Sequence, residues 1–397
     1  YRTTGESFYT SMVTKTLDNM TNGQVLDSAD GGFFRHSAQA GWEQPQHEKM
    51  LEDNLNLARE FLDASILQER PDYMETAKQT FRYLLEQMYD SAIPGFRGSQ
   101  GAHSDYYNLS RDQRTEAARP MLDPSCYANS NGLAVTVLLD AAWKLGDPSL
   151  QSTALAVLDK LDSMQRSGSF SHVFSESGPS DAPALFTDYA WLLTALLKAH
   201  GNTANETYLE RAVAVAQKMV ERFFDQEGGG FFDIEEHTDA IGHLQIREKI
   251  LADNAVAAQA LIRLHQPTRN ADYLQIAEAT LSAFVETFRE QGEFAADYGL
   301  AVHMLKNNLV EVTIEGNPED SGCQEMLAAA TRLPQPNLDI KTIVAPDDDS
   351  IVRAHVCLDT VCLPPVDSPA KLADAVAGLT KQPVSYTHLP LPPRDLV

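Results

Sequence analysis

The sequence predicts an all-α fold in which helical hairpins form a ring, with a small C-terminal α/β appendage. Three features support this prediction. Helices with one polar face alternate with helices that are apolar nearly all round, and short links alternate with long ones. After about residue 308 the pattern changes to strand-like alternation.

The helices with one polar face are predicted to form an outer layer. Four segments begin alike, with turn residues followed by a helical pattern, at Pro71, Asp147, Glu206 and Ala271. After Tyr73, for example, apolar and charged residues fall on opposite faces of the helix. This spacing indicates one buried face and one solvated face.

The helices between them are predicted to form an inner layer. Segments 133–143, 185–197 and 250–262 have hardly any polar face, which is typical of helices buried on all sides. About five hairpins of this kind precede residue 306. A closed ring is the simplest arrangement of the two layers, and a superhelical solenoid is the alternative.

The links between helices alternate in length. Links from inner to outer helices are short, as at 146–148 and 266–270. Links from outer to inner helices are long and rich in glycine and aromatic residues: 31–54, 95–100, 168–172 and 228–233. Long loops in compact domains are usually functional. In a ring they meet at one end, where the N-termini of the inner helices suit a polyhydroxylated or anionic ligand.

The last part of the chain changes character. Strand-like and helical runs follow one another there: 310–314, 324–333, 340–344 and 354–357. We therefore expect the toroid at 1–307, the appendage at 308–382, and a disordered or artefactual Pro-rich tail at 383–397.

The composition argues against several kinds of partner. The chain has 397 residues, 43% of them apolar, and a net charge of −25. The excess of acidic residues argues against nucleic acid and against an anionic membrane surface. No apolar run is long enough to span a bilayer, no signal peptide is visible, and four cysteines are too few for a disulfide scaffold. We expect a cytoplasmic protein.

No motif in the chain predicts a cofactor or a metal ion. A phosphate loop, a dinucleotide fingerprint, a nucleophile elbow and zinc-ligand spacing are all missing from the sequence. Cys357 and Cys362 do not have the spacing of a thioredoxin-type pair. We expect them to pack within the appendage, and a reversible disulfide is the alternative.

The stretch 31–54 holds the densest set of candidate catalytic groups. His36 and His47 are candidates for general acid and base, with Glu48 as a carboxylate partner. The alternative is that these residues only cap the start of the inner helix, with Glu48 complementing the helix dipole.

The same stretch offers charged groups that could hold a ligand. Arg35 and Lys49 are candidates to bind a substrate oxygen or phosphate, and Asp53 is a further binding candidate. The alternative is a set of structural salt bridges with Glu48 and Asp53.

Aromatic residues near the long loops are candidates for stacking on a sugar. They include Phe33 and Trp42, for which core packing is the alternative. Tyr127 and Tyr189 complete the set of substrate-binding candidates.

Two carboxylates occupy the first turns of inner helices. Asp188 and Asp253 would suit glycoside hydrolysis if they face each other across the mouth of the ring at the right separation. The alternative is that each only complements the dipole of its own helix.

The opening stretch resembles a characteristic block of a family. It reads Gly31-Gly32-Phe33-Phe34-Arg35-His36-Ser37, then Trp42, then Pro45-Gln46-His47-Glu48-Lys49-Met50-Leu51. This is similar to the block of a thioredoxin-domain-containing family related to spermatogenesis-associated protein 20. Segments 16–20, 98–107 and 356–365 resemble other landmarks of that family, so the likeness covers about residues 1–380.

The resemblance implies an (α/α)6 toroid similar to N-acylglucosamine 2-epimerases and six-hairpin glycosidases. The family has an N-terminal thioredoxin-like domain and a first hairpin that this chain lacks. We therefore expect a fragment that self-associates through exposed inner-helix surface. Two positions depart from the family block: Gln46 stands where His is usual, with His47 one place later, and His36 stands where Tyr is usual.

The sequence thus predicts a carbohydrate-active toroid that acts on a sugar or a sugar derivative. If it is an enzyme, we expect a 2-epimerase-like isomerase that uses a histidine, His36 or His47, for proton abstraction. Two alternatives stay open. One is a non-catalytic ligand- or protein-binding module of a thioredoxin-domain protein, and the other is a glycoside hydrolase with paired carboxylates.

Overall fold

A computed structural model of the chain describes residues 6–37, 39, 41–164, 170–236, 242, 246–307, 309–317, 319–333, 337–345, 352–358 and 361–380. The expected tail, 383–397, lies outside the described residues. No helix within these ranges is long and apolar enough to cross a membrane.

The helices follow the alternation that the sequence predicts. The inner helices in the described part of the chain are α2 (Leu51–Gln68), α6 (Ala128–Leu145), α8 (Phe186–Thr203), α10 (Leu251–Thr268) and α12 (Ala296–Lys306). The helices outside them are α1 (Ser7–Asn22), α3 (Pro71–Tyr83), α7 (Pro148–Ser163), α9 (Glu206–Phe223) and α11 (Asp272–Ser282). Each inner helix packs against the next one along the chain, and α2, α6, α8 and α10 are each followed by their outer hairpin partner. The protein is therefore largely helical, with two concentric layers.

The long links carry short elements of their own. Helical turns are α4 (Ser104–Tyr107), α5 (Arg111–Arg114), a π-helical segment (Leu84–Met88) and a 3-10 segment (Phe288–Ala295). Two-stranded pairings join β1 (Lys49–Met50) to β4 (Ser99–Gln100) and β2 (Tyr89–Asp90) to β3 (Gly95–Phe96). A three-stranded sheet contains β5 (Cys126–Tyr127), β6 (Val173–Ser175) and β7 (Gly178–Pro179). These pairings tie neighbouring long links to one another beside the starts of the inner helices.

The short links share one backbone conformation. Four inner helices end on a residue with left-handed backbone, and the next helix begins two or three residues later. These residues are Glu69, Gly146, Ala204 and Arg269, with φ between 52° and 63°. Only Gly146 is a glycine, so the other three hold a conformation that L-residues disfavour.

The inner helices are not buried on all sides, which corrects the sequence-based expectation. Their inner faces carry half-buried polar side chains: Asn56, Arg59, Asp63, Asn129, Thr136, Asp140, Lys144, Thr187, Thr194, Lys198, Gln259 and Arg263. A ring has an interior of its own. Side chains that point into it are therefore shielded from bulk solvent without belonging to the apolar core.

The C-terminal part forms a four-stranded sheet with two helices. Its strands are β8 (Val310–Gly316), β9 (Leu338–Val344), β10 (Arg353–Leu358) and β11 (Val361–Cys362), in the order β11-β10-β8-β9. The helices are α13 (Ser321–Arg332) and α14 (Pro369–Thr380). Strand β8 pairs in parallel with β9 and antiparallel with β10, and its residues alternate between buried and half-buried. The exact domain limits stay a prediction.

This sheet-and-helix unit packs against the C-terminal ends of the inner helices. Helix α13 contacts α2 and α6, and β9 contacts α8. The Arg332 Nε donates to the Ile66 carbonyl over 2.8 Å, and the Gln324 amide donates to the Trp143 carbonyl. Both carbonyls lie in the last turn of an inner helix. The carbonyls of a last turn have no hydrogen-bond partner within their own helix. The unit therefore caps this end of the ring.

The structure bears on two further expectations, one about the C-terminal cysteines and one about exposed apolar side chains. Cys357 and Cys362 face each other across β10 and β11 and form a disulfide, so simple packing within the appendage was the wrong alternative. A set of exposed apolar side chains lies on α1, outside the inner ring: Phe8, Tyr9, Met12 and Val13. Self-association itself stays a prediction.

The left-handed helix ends generate the first test. Replacing Ala204 by glycine removes the Cβ clash of this conformation and should raise the free energy of unfolding by about 1 kcal/mol. Ala214→Gly, at an exposed position inside α9, is the matched control and should lower it by about 1 kcal/mol. Urea denaturation measures both. A loss of stability in Ala204→Gly would contradict the strained backbone at this link.

Candidate functional site

A buried asparagine fixes the opening loop to the first turns of α2. The Asn54 Oδ1 accepts from the Phe33 backbone N–H over 2.6 Å. The Asn54 amide nitrogen donates to the carbonyls of Phe33, at 3.0 Å, and Met50, at 2.8 Å. One side chain thereby bonds three backbone groups of the segment that leads into α2.

The same arrangement recurs twice within the described chain. Asn131 accepts from the Phe96 N–H over 2.7 Å and donates back to its carbonyl over 3.0 Å. Asn254 does the same with Phe231, at 2.7 and 3.0 Å. We refer to these three residues, Asn54, Asn131 and Asn254, as the asparagine clamps. They hold three long links at the N-terminal ends of α2, α6 and α10.

A lysine completes each of two clamps, Lys49 fully buried in the first and Lys249 half-buried in the second. The Lys49 ammonium lies 2.7 Å from the Asp27 carboxylate and 2.7 Å from the Gly31 carbonyl, and 4.3 Å from the centre of the Tyr83 ring. Burial lowers the pKa of Lys49, and the Asp27 carboxylate opposes that shift. Lys249 makes the equivalent contacts to another aspartate and another glycine carbonyl.

Lys49 and Phe33 are therefore structural, which corrects their assignment as substrate-binding residues. Both side chains are fully buried, and Phe33 stacks on Phe61 at 5.4 Å between ring centres. The loop also requires Gly32, whose φ is +76° and where a Cβ would lie 2.6 Å from the Tyr83 ring.

A signal for this role was present in the sequence. The Gly-Gly-Phe-Phe run and the later Glu-Lys-x-Leu-x-Asp-Asn run occur at 31–54 and again at 229–254. Two copies of a loop with the same Lys-to-Asn spacing indicate a shared framework rather than a single catalytic block.

His47 does not face the mouth of the ring. Its ring packs against Phe34, at 4.8 Å between centres, and its Nδ1 lies 3.3 Å from the Ser104 hydroxyl. Burial lowers the pKa of His47. A separate cavity of about 820 Å³, lined by parts of 23–29, 44–47 and 104–114, contains this histidine. The structure thus separates His47 from the other candidates, and α2 begins at Leu51 rather than at His47.

Arg35, His36 and Glu48 lie beside Asp53 at the start of α2. The Arg35 guanidinium pairs with the Glu48 carboxylate at 3.2 Å, and His36 is exposed. Burial raises the pKa of Asp53, and the adjacent Glu52 carboxylate raises it further, while Arg35 and His36 oppose the shift. These residues form one side of the mouth.

Trp42 and Tyr189 are packing residues. Trp42 is half-buried against the end of α1, where its carbonyl accepts from the Gln24 N–H over 2.9 Å. Tyr189 is fully buried, with its ring centre 4.7 Å from Phe170 and 5.3 Å from Phe223. The position of Trp42 agrees with the core-packing alternative, and its stacking on a sugar stays a prediction. The fully buried Tyr189 has no free face for a ligand at the mouth.

Hydrogen bonds connect the first turns of four inner helices. Glu52 of α2 accepts from the Asn129 side chain of α6 over 3.1 Å. The Asn129 N–H donates to the Asp188 carboxylate of α8 over 2.9 Å. The Thr187 hydroxyl, also on α8, donates to the Asp253 carboxylate of α10 over 2.9 Å. We call this set, Glu52, Asn129, Thr187, Asp188 and Asp253, the mouth arc.

Asp253 differs from Asp188 in what surrounds it. Asp253 is half-buried and keeps one carboxylate oxygen without a hydrogen bond among the described residues. Burial raises the pKa of Asp253, whereas the Thr187 hydroxyl lowers it and the Glu52 carboxylate raises it. Asp253 therefore stays a candidate for proton transfer or hydroxyl binding.

The mouth arc orients a histidine that the sequence analysis did not single out. His172 places its Nδ1 2.9 and 3.0 Å from the two oxygens of Asp188, which is fully buried. Its Nε2 makes no hydrogen bond within the described part of the chain, and its side chain is 21% exposed. The Tyr127 ring lies 5.6 Å away, with its hydroxyl bonded to Asp123.

The charges of this pair influence each other. The hydrogen bond that His172 donates to the Asp188 carboxylate raises the pKa of His172, and burial opposes the shift. Burial raises the pKa of Asp188, while the donors from His172, Leu185 and Asn129 lower it. With three donors on its two oxygens, Asp188 is a positioning residue for His172. It is not one of two free carboxylates for glycoside hydrolysis, which corrects that expectation.

Little in the sequence indicates the role of His172. It lies in the long link at 168–172 that was expected at the mouth, but no motif surrounds it. Its aspartate partner follows sixteen residues later in the third position of α8. The sequence indicates this pair only by its order: a histidine in a loop at the mouth, then an aspartate in the first turn of the next inner helix. Among the described residues, no group of three or more side chains could hold a metal ion.

The asparagine clamps generate the second test. Asn254→Ala leaves the Phe231 N–H and carbonyl buried without partners and should lower the free energy of unfolding by roughly 2–4 kcal/mol. Asn56→Ala, at a half-buried position on α2, is the control and should change it by about 0.5 kcal/mol or less. Equal losses in the two variants, measured by urea denaturation, would contradict the framework role.

The His172–Asp188 pair generates the third test. An NMR titration should place the pKa of His172 above 6.5, and Asp188→Asn should lower it. Because the folded-state pKa is raised, the ionic stabilisation is complete below pH 6.5 and is lost as the pH rises through the folded-state pKa. The stability difference between wild type and His172→Gln should therefore shrink from pH 5.5 to pH 8.5. A difference that grows with pH would contradict the ion pair.

The chain has relatives among curated proteins. It is 22% identical to spermatogenesis-associated protein 20 of Homo sapiens over 91% of the chain, and 22% identical to the Mus musculus protein over 85%. An uncharacterized protein of Caenorhabditis elegans is 20% identical over 85% of the chain. The chain spans 62%, 56% and 60% of the length of these relatives, respectively. No family model matches it.

Solved structures share its fold. Cellobiose 2-epimerase of Bacillus thermoamylovorans has a TM-score of 0.55 at 10% identity, over 70% of this chain and 73% of that one. A D-mannose isomerase has a TM-score of 0.54 at 14% identity, over 76% and 70%. An inactive variant of an α-1,6-mannanase of Salegentibacter, in complex with α-1,6-mannotriose, has a TM-score of 0.50 at 13% identity, over 69% and 70%. The chain is thus a distant homologue of spermatogenesis-associated protein 20 with the toroid fold of carbohydrate epimerases, isomerases and family 76 glycoside hydrolases.

Proposed function

We propose that the mouth of the ring binds a sugar and that His172, oriented by Asp188, moves a proton on it, as a sugar epimerase or isomerase would. The observation that carries this proposal is the geometry of the pair, with Nδ1 held by a buried carboxylate and Nε2 left for a ligand. The fold shared with sugar epimerases and isomerases supports the substrate class.

The chemistry would begin at the carbon next to the carbonyl of an open-chain sugar. Neutral His172 would accept the proton from this carbon on Nε2, while Asp188 holds the Nδ1–H and stabilises the imidazolium that forms. Protonation of the same carbon on its opposite face by a second acid would epimerise the sugar, whereas transfer of the proton from His172 to the neighbouring carbon would isomerise it. Because the base must be neutral, the rate should fall as the pH drops below the raised pKa of His172.

The other mouth residues would hold the hydroxyl groups. Glu52 and Asp253 offer acceptors, and Asn129 offers an amide, all from first turns of inner helices. Arg35 and His36, next to Asp53, would orient the sugar from the opposite side of α2. In this proposal His36, rather than His47, is the histidine available as a second acid or base.

A glycoside hydrolase is the second candidate function. Glu52 and Asp53 are adjacent carboxylates at the start of α2, and burial and mutual repulsion raise the pKa of Asp53. The Salegentibacter mannanase is inactive when two adjacent aspartates are changed to asparagine. A pair of this kind, rather than Asp188 with Asp253, would carry hydrolysis here.

Deuterium exchange at the sugar carbon provides the fourth test. In D2O, wild-type protein should exchange the C2 hydrogen of at least one of glucose, mannose, N-acetylglucosamine or cellobiose, as followed by NMR. His172→Asn should lower this rate by about 100-fold or more, because it removes the base. His355→Gln, on strand β10, is the matched control and should leave the rate unchanged.

Three outcomes would redirect the assignment. Exchange that persists in His172→Asn would remove His172 from the reaction. Hydrolysis of α-1,6-mannotriose that is lost in Asp53→Asn, without exchange, would favour the hydrolase. Thermal stabilisation by sugars without exchange or hydrolysis would leave a non-catalytic binding module.

A further inference from the structure

The inner face of α8 carries one stripe of half-buried residues. Thr187, Trp191, Thr194 and Lys198 recur at the spacing of a single helix face. All four are half-buried, whereas Tyr189 on another face of the same helix is fully buried. The stripe runs from the mouth arc towards the capped end of the ring.

Both ends of this stripe are fixed by contacts to neighbouring inner helices. Thr187 donates to Asp253 of α10 over 2.9 Å, and Lys198 lies 2.8 Å from Asp140 of α6. Because both contacts reach inner helices, the stripe faces the interior of the ring. Trp191 lies between them on that face, one turn below the mouth arc.

The neighbouring helix leaves the backbone of Trp191 little freedom. A Cβ at Gly132 of α6 would lie 2.9 Å from the Trp191 Cβ and 3.1 Å from its carbonyl oxygen. The two helices therefore touch at this point, which fixes where the indole begins. The indole stays half-buried, in contrast to Trp143, which is fully buried in the core.

Charged side chains continue the interior below Trp191. Lys144 pairs with Asp63 and Asp140, and Asp140 also pairs with Lys198. The two ammonium groups hold the pKa of Asp140 well below its usual range, against the effect of burial. These four groups balance in charge and border a cavity of about 90 Å³ at the capped end.

We propose that Trp191 and the Lys198–Asp140 pair form a second sugar subsite inside the ring, so that the ligand is a neutral disaccharide or the end of a longer saccharide. The proposal rests on the sugar site proposed at the mouth. One ring would sit at the mouth beside His172, and the next would stack on the indole of Trp191. Lys198 and Asp140 would donate to and accept from its hydroxyl groups.

Length and charge support this class of ligand. From Thr187 to Lys198 the stripe spans about 16 Å along the helix axis, so a single pyranose ring could not contact both ends of it. The mouth presents the carboxylates of Glu52, Asp53 and Asp253, which disfavour sugar phosphates and uronic acids by like-charge repulsion.

Tryptophan fluorescence provides the test, because the chain has three tryptophans in three environments. Cellobiose and α-1,6-mannobiose are the disaccharide probes, and glucose and mannose are the monosaccharide controls. At least one disaccharide should change the emission of wild type and of Trp42→Phe, the matched control, but not that of Trp191→Phe. In Trp191→Ala the dissociation constant for that disaccharide, measured by calorimetry, should rise roughly tenfold.

The readouts separate the subsite from the mouth site. Thermal melting first verifies that each variant is folded. If Trp191→Ala is not folded, Trp191→Phe is used in its place. If a disaccharide binds in a His172-dependent manner but leaves Trp191 emission and the Trp191→Ala affinity unchanged, the subsite is refuted and the mouth site stands. If monosaccharides bind as tightly as disaccharides, the subsite is also refuted. If none of the four sugars binds, both proposals are refuted.

Discussion

Three buried asparagine side chains set the arrangement of the mouth. Long loops contain backbone N–H and carbonyl groups that neither a helix nor a sheet satisfies, and leaving them buried without partners is costly. Asn54, Asn131 and Asn254 each accept from and donate to one phenylalanine of such a loop. The loops are thereby fastened to the first turns of the inner helices. The positions of the mouth carboxylates and of His172 depend on this fastening.

The layers of the fold could be predicted from sequence because they follow from helical periodicity. Helices with one polar face and helices without one alternate from Pro71 onward, and the structure has the same order. The candidate site was harder to predict, because adjacent residues in extended backbone point in opposite directions. Arg35 and Glu48 thus pair at the mouth, while their neighbours Phe34 and His47 pack together in another cavity.

Two further residues show what periodicity cannot reveal. His172 is placed by Asp188, which follows it in the next inner helix, so its role depends on how a loop returns to the ring. Trp191 belongs to a segment that reads as apolar all round, yet it is half-buried. Hydrophobicity alone cannot distinguish a residue in the core from one that lines an enclosed polar interior. Lys49 shows the opposite case, since a charged residue that looked available is fully buried with Asp27.

The two lysine-containing clamps repeat one arrangement at the starts of two inner helices, α2 and α10. The loop that joins Asp27, Lys49 and Asn54 and the loop that joins Asp225, Lys249 and Asn254 share their contacts almost bond for bond. The two copies carry different residues at the mouth, because Ala252 stands in the second copy where the first has Glu52. The two copies therefore share the contacts that fasten the loop, and they differ at the second residue of the helix that follows.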